Sequence, residues 1–194
     1  MSASVPDVID RLAGIAPRSR LDLIRAQRQQ ARDNAQTSYL SLFHPDSTAE
    51  MSLSERNAVA MFVAGLHRQA DIAAFYAEAL GDAALAAAVA DAVAAGSGSG
   101  PYGHYPAGPL SAEDVEGPVY TAPAALGRRL AAALTHAHLL VFHPRDAAPP
   151  ALQALIDAGW STTGIVTLSQ LIAFISFQVR VIVGLRALAA NPGS

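Results

Sequence analysis

The chain has 194 residues, a formal charge of -3, 52% hydrophobic residues and 15% charged ones; it contains no cysteine, and all 13 of its basic side chains are arginine. Those absences exclude disulfide exchange, a cysteine nucleophile, a thiolate metal site, a Schiff-base lysine and a Walker lysine within this chain. Arginines dispersed along a net-negative chain give no basic stripe for a nucleic acid.

The first segment, MSASVPDVIDRLAGIAPRSR, carries acidic residues early and no apolar run, so it does not read as a signal peptide, and a cytoplasmic protein is expected. Pro17 and Ser19 open a polar amphipathic helix that the spacing carries to about Phe43, with Leu21, Ile24, Ala31, Ala35 and Leu42 on one narrow stripe. After the break HPDSTAEM, Ser54 is the expected N-cap with Glu55 in the first turn. Val59, Phe62, Val63, Leu66, Ala70, Ala73, Tyr76, Ala77 and Leu80 then recur at three and four. They predict one helical face or two short helices bent near His67 to Asp71. Gly81 punctuates, and AALAAAVADAVAAG predicts an alanine-rich helix that allows close approach.

Residues 96–123 hold six glycines and five prolines, which forbid a long regular element and predict one extended loop. Helix resumes from Ala124, stops at Pro144 and restarts after Pro149 and Pro150, closing at Gly159 and Trp160. Ser161 caps a last long helix carried by Ile165, Leu168, Ile172, Ile175, Val179, Val183 and Arg186, and the tail NPGS is expected to fray. From Ala158 to Val179 there is no charge, yet serines, threonines and glutamines interrupt the stretch and Arg180 follows. A helix buried in a bundle or oligomer core is therefore expected rather than a membrane span.

The expected fold is all-α: a single domain over 1–194, a bundle of seven to nine helices. The stretches 53–95 and 138–190 share a layout of proline-marked turn, helix, small-residue joint and longer apolar helix. The apolar excess predicts a homo-oligomer.

Within this frame, LSERNAVAMFVAGLHRQADIAAFYAEAL over residues 53–80 resembles the core motif of the alkyl hydroperoxidase D-like, or carboxymuconolactone decarboxylase, superfamily. In its thiol-bearing members a glutamate precedes Cys-x-x-Cys-x-x-x-His by about three helical turns. Here Gln69 and Ile72 stand at the two cysteine positions, Tyr76 at the histidine and Asn57 at the glutamate. The second block, LLVFHPRDAAPPALQALIDAGWSTTGIVTLSQLIAFISFQVRVIVGL, resembles the family's closing pattern, with Val179 and Arg180 where an Asn-Arg pair is frequent. The resemblance covers about 80 residues. It implies a peroxidase-related helical fold in which thiolate attack on peroxide cannot run, because neither the attacking nor the resolving thiol is present.

Candidate binding residues follow: Asn57, Gln69 and Tyr76 on the motif helix, with Gln69 and Tyr76 reading first as packing and second as the lining of a ligand cavity, and Tyr105 in the loop. Arg180, set in an apolar helix, demands a carboxylate or several carbonyls nearby, with Glu78, Asp71 and Asp157 as candidate partners, or else touches substrate. The loop, with Tyr102, His104, Tyr105 and Tyr120, reads either as a lid or as a surface or contact arm. His104 is the candidate general acid or base. His136 and His138, spaced by two, point away from each other on a helix, and His143 lies past a helix end, so no metal site is expected. No motif asks for a cofactor. Two functions stand open: a non-thiol enzyme acting on a small organic acid, lactone or peroxide, and a non-catalytic relative that binds a small ligand or a partner.

Overall fold

A computed structural model describes residues 5–191. The first four residues of the N-terminal segment and the last three of the tail NPGS lie outside the described residues. The described chain is all-α: α1 (Val8–Ala13), α2 (Arg20–Ala26), α3 (Gln29–Phe43), α4 (Leu53–Leu66), α5 (Ala70–Leu80), α6 (Ala83–Ala95), α7 (Arg128–Phe142), α8 (Pro149–Asp157) and α9 (Thr162–Ala190). Among the described residues no strand forms, and one isolated bridge joins Gly103 to Val115.

The bundle is built around α4, which is apolar on nearly every side and buried from Arg56 to Leu66 except at Gly65. A helix hydrophobic all round must be enclosed; here α5, α6, α7 and α9 enclose it. The cap is Ser52, two residues earlier than the sequence pattern suggests. Its hydroxyl accepts the Glu55 amide at 3.2 Å, and the Glu55 carboxylate accepts the Ser52 amide at 2.9 Å. Glu55 decides the register, because only from Ser52 does it fall at the third helical position and close a reciprocal box. At Gly65 an added Cβ would sit 2.7 Å from a Val93 methyl, so this glycine is what lets α6 lie close against α4. Arg68, at φ +59°, turns the chain between α4 and α5, within the bend expected at 67–71, and Gly81 at φ +68° ends α5.

Other features differ from the periodicity. The helix expected over 17–43 breaks at Gln27 and Arg28 into α2 and α3. The break brings charges together across the three short elements: Arg25 reaches Asp7 at 2.8 Å, Arg32 reaches Asp22 at 2.8 Å, and both also bind Asp10. Pro149 and Pro150 begin α8 rather than precede it, since the first helical turn has no amide partner to lose. The two family-like units also differ in proportion: α4 has 14 residues and α5 only 11, whereas α8 has 9 and α9 has 29. The short-then-long order holds in the second unit alone.

Ser161 caps α9 through the Gly164 amide at 2.9 Å. The buried stripe is Ile165, Leu168, Ile172, Ile175, Val179 and Ile182, one residue short of the expected Val183 at its far end. By length and composition α9 is apolar enough to cross a membrane, with a mean hydropathy of 1.8 in its most apolar window. In this fold it is packed against α1, α3, α4, α7 and α8, with 39% of that window buried. Val166, Phe177 and Val183 lie on its exposed side.

Candidate ligand-binding cavity

The residues that the resemblance places at a thiol site fill space instead of enclosing it. Ile72 and Tyr76 are completely buried. The Tyr76 ring stacks on Phe43 at 5.0 Å between centroids, and its hydroxyl donates to Gln178 Oε1 at 2.6 Å. Burial raises the Tyr76 pKa, so the phenol stays protonated. Asn57 turns its amide back onto the Leu53 carbonyl of its own helix at 2.9 Å. Gln69 is half-buried at the start of α5, its amide near the His67 carbonyl at 3.4 Å. None of these four borders either of the cavities described here.

Arg180 is exposed on α9, and among the described residues no carboxylate lies within 4 Å of it. The ion pair expected with Glu78, Asp71 or Asp157 is therefore absent; Asp71 is taken by Arg186. The reason is angular. Ala173, Phe177, Arg180 and Gly184 share one outward stripe of α9, so the uncharged sequence around Arg180 does not bury it. Its nearest consequence is on His67, whose Nε2 lies 3.1 Å from the Ser176 hydroxyl. Burial, with Arg180 adding to it, lowers the His67 pKa.

Polar groups do converge elsewhere. The segment 118–122, the last part of the long loop, runs alongside α7: His143 Nε2 donates to the Pro118 carbonyl at 2.9 Å, and the Ala122 amide donates to the Thr135 hydroxyl at 3.0 Å. Between this segment, α7 and α8 lies a cavity of about 500 Å³. Ala131, Ala132, Leu139, Ala151 and Ala154 make most of its wall apolar, and Tyr120, His136, His138, His143 and Asp146 bring polar atoms to it. His136 and His138 both border it although they sit on different sides of α7.

These polar residues divide by what they are already bonded to. His143 is fully committed, with Nδ1 on Asp146 at 3.0 Å and Nε2 on Pro118. His138 donates Nε2 to the Gly96 carbonyl at 3.1 Å, and burial lowers its pKa. His136 is 5% exposed and its Nδ1 is buried with no hydrogen-bond partner; burial lowers its pKa too, so the ring is neutral. The Tyr120 hydroxyl is likewise buried and unpartnered, its pKa raised by burial, with its ring against Phe62 and His138. Orphaned polar atoms in a native interior are uncommon, and each calls for an explanation.

His104 does not border this cavity. It is exposed on the loop, 2.8 Å from Glu116 and 3.6 Å from Asp146, and Glu116 raises its pKa. Its only route to the cavity is through Asp146, which His143 shares. Tyr105 packs under the Arg145 guanidinium, 4.2 Å from ring centre to Cζ, and is also outside the wall. Of the loop, residues 119–122 border this cavity, while Gly98 to Pro101 border a separate pocket with His67, Arg68 and Arg180. Among the described residues no group of three or more histidines and acids is placed to hold a metal. The sequence names His136 among the histidines and Tyr120 among the loop aromatics, but no spacing joins the two. Their polar atoms become notable only once the 118–122 segment has covered α7.

Comparison with protein-family models, with curated proteins and with solved structures finds no match for this chain. The resemblance of residues 53–80 therefore rests on the sequence pattern already quoted, beside an all-α bundle.

Proposed function

We propose that the protein is a small-ligand-binding relative of the alkyl hydroperoxidase D-like proteins, without thiol chemistry, and that its ligand occupies the cavity between residues 118–122, α7 and α8. The observation that carries this reading is that His136 and Tyr120, each holding a buried polar atom without a partner, both border one mainly apolar space. A pocket lined by apolar side chains with a few convergent polar groups is the ordinary form of a small-molecule site. The lining leaves no charge unpaired: both imidazoles with lowered pKa are neutral, and the Asp146 carboxylate is held by His143 and the His104 amide. An uncharged compact molecule with one carbonyl or hydroxyl fits this chemistry, and a lactone is the member of the expected substrate classes that meets it.

A second reading, turnover of that ligand, is favoured by the protonation state of His136. A buried neutral imidazole with a free ring nitrogen accepts a proton as a general base does. Exposed His104, already paired with Glu116, is replaced in that role. In either reading the chain works as a homo-oligomer, which the exposed apolar Val166 and Val183 of α9 support.

The test is the melting temperature with millimolar γ-butyrolactone or δ-valerolactone. The wild-type protein is expected to gain stability, and Ala154→Trp, at the exposed rim of the cavity, is expected to gain none. Equal stabilisation of both proteins, or of neither, overturns the reading. Hydrolysis of the lactone, followed by proton release, separates turnover from binding. With a dithiol donor and peroxide the protein is expected to consume no peroxide, since the chain has no cysteine.

A further inference from the structure

On the opposite side of α4 stands a cation without a counter-charge. Arg56 is 4% exposed; its Nε donates to the Met51 carbonyl at 2.9 Å and its Nη1 to the Leu42 carbonyl at 2.8 Å. A guanidinium has five N–H donors, so three remain. Among the described residues no carboxylate lies within 4 Å of Arg56; its neighbour Glu55 is engaged by Arg129 at 2.6 Å. The Leu42 carbonyl belongs to the last turn of α3, where the helix offers partial negative charge, and this offsets only part of the burial. The Arg56 pKa is lowered by that burial.

Arg56 floors a groove of about 750 Å³ between α3 and α9. Asn34, Ser41 and Gln170 border it with side chains that make no hydrogen bond among the described residues, and Phe174 and Phe177 supply its apolar wall. A buried fork of donors beneath an aromatic wall is complementary to a planar anion carrying an apolar group. We propose that this groove binds a small organic monocarboxylate, with its carboxylate on Arg56 and its apolar part against Phe174 and Phe177. The site is separate from the cavity at His136, whose lining takes an uncharged ligand, and it stands or falls without it.

The probe is benzoate, with benzyl alcohol as the uncharged isostere and inorganic phosphate as the anion without a ring. In uniformly ¹⁵N-labelled protein, benzoate is expected to move the Arg56 Nε–H resonance and the backbone amides of residues 170–177, and to raise the melting temperature. Benzyl alcohol and phosphate are expected to bind at least tenfold more weakly. Arg56→Met is expected to abolish the response. Because Arg56 also holds two carbonyls, that variant risks unfolding, so Ala173→Trp serves beside it: this exposed position borders the groove without touching Arg56, and it is expected to lose benzoate while keeping the wild-type melting temperature. Undisturbed Arg56 resonances, equal binding of benzyl alcohol, or full benzoate affinity in Ala173→Trp overturns the proposal. If a second copy of the chain covers the groove, Ala173→Trp changes the sedimentation coefficient while benzoate leaves Arg56 unmoved, and that result overturns it as well.

Discussion

The α4–α5 corner and the α7 flank carry the same kinds of polar side chain under opposite conditions. At the corner, a tyrosine and a glutamine are buried as a bonded pair, Tyr76 to Gln178 at 2.6 Å, between fully packed apolar neighbours. On the flank, a histidine and a tyrosine are buried without partners beside an open space. The corner is where the sequence pattern resembles a catalytic motif, yet its positions have become core. The corner keeps an orphan of its own, Gln178 Nε2, so neither burial nor a missing hydrogen bond is enough by itself; what sets the flank apart is that its orphan-bearing residues border an open space.

The comparison breaks most visibly at Tyr76. Removing a fully buried aromatic ring leaves a cavity that the surrounding helices cannot close, so Tyr76→Ala is expected to cost about 3–5 kcal/mol in denaturant unfolding. Tyr76→Phe keeps the ring and strands Gln178, whose Nε2 already lacks a partner, and is expected to cost about 1–3 kcal/mol. Neither substitution should change lactone binding beyond what lost stability explains. A specific loss of binding in Tyr76→Phe would make the corner, not the flank, the site.

On the flank the next largest effect is at the seam that holds the loop down. Gly103 has φ +109°, a conformation that side chains rarely adopt, and an added Cβ would lie 2.7 Å from an Asp146 carboxylate oxygen. Asp146 in turn accepts the His104 amide at 3.1 Å and pairs with His143. Gly103→Ala is therefore expected to cost about 1–3 kcal/mol and to unseat the loop. Limited proteolysis should cut within 96–123 faster, while the α4–α5 corner keeps its protection in hydrogen exchange. Uniform loosening of both regions would mean that the loop and the corner unfold as one unit.

His136 sharpens the comparison because function and stability should part there. An unpartnered buried nitrogen is a cost, so His136→Leu, which replaces it with an apolar group of similar size, is expected to leave stability unchanged or raise it by up to about 1 kcal/mol. The same substitution should abolish lactone binding. A loss of stability would show instead that Nδ1 has a structural partner, such as a bound water, and would remove the main support for the site.

Much of the fold was legible in the sequence because its signals are local. The Ser161 cap, the Gly81 stop, the bend at 67–71 and the loop 96–123 each depend on a few neighbouring residues and need no knowledge of what packs above them. The misplaced features depend on tertiary partners. Ser52 rather than Ser54 caps α4 because Glu55 completes a box with it, a pairing that was readable from the three-residue spacing. Arg180 looked buried because its neighbours in sequence are apolar, but one step of about 100° separates it from the buried Val179. The break between α2 and α3 is fixed by carboxylates that come from α1 and α2. For the candidate site even less was available. His136 and Tyr120 are 16 positions apart in the sequence and meet at one cavity only because residues 118–122 fold back along α7.

The smallest expected effect is on the pH dependence, and it discriminates between the regions by sign. His67, His136 and His138 have lowered pKa values, chiefly from burial, so the unfolded chain binds their protons more readily than the folded one. Their contribution is fully present above the ordinary histidine value of about 6.5 and is lost as the pH falls below it. His104 works the other way. Glu116 raises its pKa, so its contribution is present below about 6.5 and is lost as the pH rises through the raised value. Because His104 is exposed, solvent screens that pair and its share is slight. Thermal melting followed from pH 5 to 8 is therefore expected to show net destabilisation toward acid. His136→Leu should flatten that slope, and Glu116→Gln should leave it nearly unchanged while making loop proteolysis less sensitive to pH. An acid slope that survives intact in His136→Leu would assign the buried proton chemistry to His67 and His138 instead.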